Sequence, residues 1–277
     1  MAIVEGWTQL AGGLRLPYVE QGRNDEIPVV FTHAFLDSWR SFELVLEHLP
    51  SSIHAVAPTQ RGHGDADHPA TGYRTRDFAE DLAEFMDAVG LDAAVIAGSS
   101  SGGVVARRFA VMHPDRVLGL VLINSPFTLR DKTTLVEFLR STVAELTDPV
   151  PPGLVRDVQG STIVEPVSPA FFEALLTDSR KVPARVWKET IQGLLDDDAS
   201  EDTGKITAPT LILWGDRDPA VPLEDQSALT AAIPNARLVV YPGAGHALCW
   251  EEPKRVADDV TAFVDALRPP RQVGTTR

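Results

Sequence analysis

Residues 93–102 read Ala93-Ala94-Val95-Ile96-Ala97-Gly98-Ser99-Ser100-Ser101-Gly102, and Gly103-Val104-Val105-Ala106 follows. A short unbroken apolar run that ends in turn residues predicts a buried strand, and the segment after it predicts a helix. Gly98 to Gly102 fits G-x-S-x-G. In a strand-to-helix context this pattern forces the central serine into a strained, exposed conformation, and small flanking residues let the backbone turn. The helix also aims its N-terminal N–H groups at the reacting centre, where they favour developing negative charge. Ser100 is therefore a candidate nucleophile. A Ser/Gly-rich loop without chemistry is the competing account, and the rest of the chain must decide between them.

Outward from this stretch, Val29 to Thr32, Ile53 to Ala57 and Val117 to Ile123 also read as buried strands. Phe78, Leu82, Phe85, Met86 and Val89 recur at helical spacing and predict an amphipathic helix from Asp77 to Val89. Strands alternating with such helices predict an α/β fold, a mostly parallel sheet flanked by helices. Trp7 to Glu20, interrupted by Gly12 and Gly13, predicts an antiparallel hairpin on the sheet edge. After Asn124 and Pro126 the alternation stops for about eighty Pro-punctuated residues. Helical pieces near Thr133 to Leu146, Pro169 to Leu176 and Pro183 to Leu195 predict an inserted helical cap. The alternation resumes with a strand at Thr210 to Trp214, a helix around Asp225 to Ala232, a strand at Ala236 to Tyr241 and a helix from Pro253. Val256, Val260, Phe263, Val264 and Leu267 mark the buried face of that last helix. The expected organisation is a core at 1–126 and 207–268, a cap at 127–206 and a frayed polar tail at 269–277.

A serine hydroxyl is protonated at neutral pH and needs a base. His246, in the loop Gly243-Ala244-Gly245-His246 between a predicted strand and the final helix, is best placed for this. His48 and His113 fall late in predicted helices, and His54, His63 and His68 belong to the strand and loop before the Asp77 helix. The base in turn needs a carboxylate to fix its tautomer and stabilise the imidazolium. Asp218 lies at the tip of the turn that follows the strand ending at Trp214. It is preferred to its rival Asp216, which sits earlier in the same turn.

The order Ser100, Asp218, His246 resembles that of the α/β-hydrolase superfamily. Thr32-His33-Ala34-Phe35 resembles the family's His-Gly oxyanion loop, and Arg61-Gly62-His63-Gly64 its Arg-Gly-x-Gly loop. Gly215-Asp216-Arg217-Asp218 and Gly245-His246, with Glu251 and Pro253, complete a pattern that spans His33 to Val256 apart from the insertion. The resemblance implies Ser100, Asp218 and His246 as catalytic residues and the backbone N–H groups of Phe35 and Ser101 as the oxyanion hole. It implies that His33 and Arg61 brace loops. Ala34 stands where the family usually has glycine, which would restrict the backbone if that position needed positive φ.

The 277 residues are 44% hydrophobic and 23% charged, as in ordinary globular proteins. A formal net charge of −14 speaks against a nucleic-acid partner, which would require clustered Lys and Arg. The single cysteine, Cys249, can form neither an internal disulfide nor a Cys-based metal or redox motif. No run approaches the roughly 18 apolar residues of a membrane span, and the N-terminus lacks a signal-peptide pattern. A cytoplasmic enzyme without metal or organic cofactor is expected, acting on a small-molecule ester, with oligomeric state open.

Carboxylic ester hydrolysis through an acyl-enzyme is the leading expectation. Lactonase, C–C bond hydrolase and cofactor-free haloperoxidase or perhydrolase chemistry are alternatives; thioester cleavage is a further one. Dehalogenase and epoxide hydrolase relatives use an aspartate nucleophile, whereas this chain offers Ser100. From another class, a non-catalytic ligand receptor of the same fold is the competitor. Phe171, Phe172, Leu175, Leu176 and Trp187 are expected mainly to form the cap's own core. Trp39, Met112 and Trp250 are expected to be structural and Cys249 a small buried apolar group.

Overall fold

A computed structural model describes residues 3–24 and 26–268. The expected tail at 269–277 lies outside the described residues. In chain order the elements are β1 (Val4–Gln9), β2 (Arg15–Gln21), β3 (Pro28–Thr32), α1 (Glu43–His48), β4 (His54–Pro58), α2 (Thr75–Ala88), β5 (Ala94–Ser99), α3 (Ser101–Met112) and β6 (Val117–Ile123). Then come α4 (Thr133–Ser141), α5 (Pro152–Gly160), α6 (Pro169–Ser179), α7 (Ala184–Asp196), β7 (Thr210–Gly215), α8 (Leu223–Ala232), β8 (Ala236–Tyr241), α9 (Leu248–Glu251) and α10 (Pro253–Leu267).

Among the described residues the strands form one sheet in the order β1-β2-β4-β3-β5-β6-β7-β8. β1 and β2 make the expected edge hairpin, and β2 runs antiparallel to β4. From β4 to β8 all neighbours are parallel. The period-2 alternation of a strand divides the core. Val29, Phe31, Val95, Ala97, Val121, Ile123, Leu211 and Leu213 face a layer that includes α1 and α10. Val30, Ile96, Leu120, Leu122 and Ile212 face a layer that includes α2 and α3. Burial on both faces is why these strands read as unbroken apolar runs rather than alternating ones.

From β3 the chain crosses to β4 on one side and later enters β5 on the other. The loops after β3 and β5 therefore diverge from adjacent strand ends. Such a switch point opens a crevice at the carboxyl edge of a parallel sheet, where ligands bind in open α/β folds.

Between β6 and β7 lie α4 to α7, one helix more than the periodicity predicts. The sequence pattern hides α5 because it is short, opens on Pro152-Gly153 after Pro151 and ends at Gly160, so its apolar positions Leu154, Val155 and Val158 make too brief a pattern. The segment is tied to the sheet through α3. Arg107 is fully buried; its guanidinium donates to the carbonyls of Pro126 (2.7 Å) and Phe127 (3.1 Å) and to Thr203 Oγ1 (2.8 Å). It thereby joins the two ends of the segment. Arg108 beside it pairs with Asp197 at 2.8 Å and Asp202 at 2.9 Å. Burial lowers the Arg107 pKa to about 10, which leaves it charged at neutral pH.

Replacing Arg107 with Leu leaves buried acceptors unpaired. The expected loss is about 3 kcal/mol of unfolding free energy, measured by urea titration; an unchanged midpoint would show that the arginine is no tie.

Candidate active site

Ser100 sits between β5 and α3 with φ 50 and ψ −118, outside the ordinary regions for an L-residue. Its neighbours explain how the conformation is held. A Cβ on Gly98 would lie 2.4 Å from the Gly102 carbonyl oxygen, and one on Gly102 would lie 2.2 Å from that of Thr32. Only glycine lets α3 approach β3 and β5 this closely. The Ser100 N–H donates to the Ile123 carbonyl at 2.8 Å, which pins the turn from below.

His246 Nε2 lies 2.9 Å from Ser100 Oγ, and its Nδ1 lies 2.7 Å from Asp218 Oδ2. The His246 side chain is 10% exposed and that of Asp218 is 0% exposed. A carboxylate facing Nδ1 selects the tautomer with its proton there, so Nε2 is free to accept from the serine hydroxyl. The other Asp218 oxygen accepts from the N–H groups of Ala220 (2.7 Å) and Val221 (2.9 Å). Asp216, the rival, is exposed and instead accepts from the Gly243 N–H at 2.6 Å.

Asn124 carries no signal in the sequence, yet it ties the two loops together. It is fully buried with φ 45. Its Nδ2 donates to the carbonyls of Gly245 and His246, each at 2.8 Å, and its Oδ1 accepts from Gly215 N–H at 3.0 Å. Glu251 adds a second brace. One of its oxygens accepts from Gly245 N–H at 2.6 Å and the other from Val164 N–H at 2.8 Å, joining the histidine loop to the inserted segment.

In the loop after β3 the positive φ falls on Leu36 (φ 70), so Ala34 is accommodated where glycine is usual. His33 lies 2.8 Å from the Ala34 carbonyl through Nδ1 and accepts from Gln60 N–H at 2.9 Å through Nε2. Burial holds its pKa well below the usual value, and it braces the loop as a neutral ring. Arg61 pairs with Asp81 and donates to the Gly72 carbonyl at 2.7 Å, away from Ser100. The Phe35 N–H donates to Ser101 Oγ at 2.8 Å, so one of the two expected oxyanion donors already has a partner within the protein.

A cavity of about 140 Å³ adjoins Ser100 and His246. Its walls include Phe35 from the loop after β3, Val158 and Gln159 from α5, and Cys249 and Trp250 from α9. Trp250 packs in the core against Phe171 and donates through Nε1 to the Ser41 carbonyl at 3.1 Å, and it also borders the cavity. Cys249 shares this wall, and burial pushes its thiol pKa far up, which keeps it protonated and unreactive. Phe171, Phe172, Leu175, Leu176 and Trp187 pack in hydrophobic clusters rather than lining this cavity. Trp39 borders a different surface cleft.

Asp37 also lines the cavity, and sequence patterns gave no hint of it. It is 4% exposed, and its Oδ1 accepts from Gln159 Nε2 at 2.8 Å. Burial raises its pKa to about 7, against the opposing effects of the Gln159 hydrogen bond and of His246.

The alpha/beta hydrolase fold family model matches residues 27–253, and the chain belongs to that family. It is 29% identical to a non-heme chloroperoxidase of Streptomyces lividans over 94% of this chain and 99% of the relative. It is 24% identical to Lipase 3 of Moraxella sp. (strain TA144), over 94% and 84% of the two chains. An esterase from Exiguobacterium antarcticum superposes with a TM-score of 0.84 at 22% identity, covering 95% of this chain and all of that one, a likeness of fold. Among the described residues no helix is long and apolar enough to cross a membrane.

The raised Asp37 pKa has a defined consequence for stability. Between roughly pH 4 and pH 7 the native state keeps a proton that the unfolded chain has released, so raising the pH costs stability until the folded pKa is passed. Asp37→Asn removes this dependence. Its stability relative to wild type should rise across that window, by up to about 4 kcal/mol for a shift of this size. Urea titrations at a series of pH values test this; a constant difference would show that Asp37 ionises normally.

Proposed function

We propose that the protein is a serine hydrolase that cleaves carboxylic esters of small to medium size through an acyl-enzyme. The observation that carries this is the hydrogen-bonded line from Ser100 through His246 to Asp218, set at the switch point of the sheet. Ser100 Oγ attacks the ester carbonyl while His246 Nε2 takes its proton. Asp218, held by two N–H groups, stabilises the imidazolium so formed. The backbone N–H groups of Ser101 and Phe35 receive the oxyanion. His246 then protonates the departing alcohol, and water, activated by the same imidazole, releases the acid.

Residues 127–206 act in this scheme as a cap, and the contribution of Val158 and Gln159 to the cavity wall supports that role. The cavity is small, about 140 Å³. That volume suits a short acyl chain. The likeness to a non-heme chloroperoxidase favours one second reading, in which peroxide opens the acyl-enzyme in place of water and forms a peracid.

Purified protein is expected to hydrolyse p-nitrophenyl acetate and butyrate faster than the octanoate. Ser100→Ala should lower turnover by roughly a thousandfold or more, as for loss of a nucleophile. Equal activity in the variant would exclude action through Ser100. Inactivity of the wild type toward esters, with ligand-induced stabilisation but no product, would instead indicate a receptor.

The Ser101 hydroxyl competes with the oxyanion for the Phe35 N–H. Removing a competing hydrogen bond of ordinary net strength, as in Ser101→Ala, should raise kcat/KM for p-nitrophenyl acetate roughly two- to tenfold. A fall would mean that the hydroxyl assists rather than competes.

A further inference from the structure

The cavity beside Ser100 is lined by one acidic group, which the ester-cleaving scheme does not use. Asp37 comes from the loop after β3, two residues beyond Phe35, and lines the same cavity as Ser100 and His246. Its one described side-chain hydrogen bond is to Gln159 of α5, whose Nε2 also donates to Ser179 Oγ at 2.8 Å. Phe35, Val158, Ala247 and Trp250 make much of the remaining wall apolar. A carboxyl group left among such side chains is costly unless donors satisfy it, and Gln159 and the backbone N–H of Ala34 supply two donors where an ionised carboxylate can accept about four. A brace between loop and cap alone would need only a neutral acceptor.

We propose that Asp37 is a specificity-determining residue, accepting a hydrogen bond from a hydroxyl on the acyl chain of the substrate, so that the preferred substrates are short hydroxyacyl esters. This rests on the ester-cleaving reading above. A hydroxyl fits better than an ammonium group. His246 becomes an imidazolium during each acyl transfer, and a second cation in a cavity of about 140 Å³ would oppose it. A hydroxyl adds no charge and replaces the solvent hydrogen bond that the carboxylate loses on burial. A site built to bond a hydroxyl also discriminates strongly against analogues that cannot donate, because its own polar group is then left unpaired.

The test compares kcat/KM for p-nitrophenyl esters of 3-hydroxybutyrate, each enantiomer separately, with those of 3-methoxybutyrate and butyrate at pH 8. Above its pKa the carboxylate only accepts, whereas a methoxy group cannot donate. Wild type should prefer one 3-hydroxy enantiomer over its methoxy counterpart by about tenfold or more. Asp37→Asn keeps an oxygen for Gln159 and turns an N–H₂ toward the cavity, so the ratio should fall to within about threefold. Asp37→Leu should favour the unsubstituted butyrate. A wild-type ratio near one, or a ratio unchanged in the Asn variant, overturns the proposal.

If wild type cleaves none of these esters, the ester-cleaving reading fails by itself. The role of Asp37 is then read by calorimetry on Ser100→Ala, with methyl 3-hydroxybutyrate and methyl 3-methoxybutyrate as ligands. A preference for the hydroxy ester that Asp37→Asn abolishes sustains the assignment. Equal affinities, or binding of neither, overturn it.

Discussion

Ser100 can hold a positive φ only because no side chain stands between α3 and the strands beneath it. The carbonyls of Gly102 and Thr32 occupy the space that Cβ atoms on Gly98 and Gly102 would need. Backbone strain of this kind costs on the order of 1–3 kcal/mol and persists only where the surroundings over-determine it. Here they do. The turn is sewn to β6 by the Ser100 N–H, and the helix that begins at Ser101 is packed into the sheet along its length. The same helix carries Arg107 and Arg108, which grip both ends of the inserted segment. One close approach of helix to sheet thus sets the serine, and through the helix it positions the segment that walls the cavity.

The loops around the serine are held by buried, hydrogen-bonded polar groups. His33 is kept neutral by burial, and so is His63, whose pKa falls to about 4. Asn124 spends both ends of its amide on the loops that carry Asp218 and His246. Asp218 is fixed by two backbone donors before it meets the imidazole. In the proposed reaction such an arrangement would need little reorganisation as charge develops, because fixed dipoles act strongly where water is scarce. Asp37 stands apart, a buried carboxyl whose pKa burial raises to about 7 although Gln159 and the Ala34 backbone both donate to it.

Much of this was legible in the amino-acid order. Strands buried on both faces announce themselves as apolar runs, and β6 spans the residues that the run predicts. The elbow is legible because its conformation depends on local chemistry, small residues at fixed offsets around one serine. Asp218 could be set above Asp216 from its place in a turn, and the geometry now separates them: one faces His246, the other Gly243.

What no local pattern could reveal was which distant residues would share a wall or a hydrogen bond. Gln159 meets Asp37 across 122 positions of sequence, and Asn124 reaches Gly245 across 121. Trp250 resembles any other core aromatic until α9 turns it toward the cavity. The physical reason is that periodicity and turn chemistry report on contacts within a few residues, which decide strand, helix and turn. Pairings between remote loops depend on how those elements pack, and so the strands along the chain and the elbow serine were legible in the sequence alone, whereas the order of strands in the sheet, the cavity, its buried acid and the ties that hold its loops were decided only in the tertiary structure.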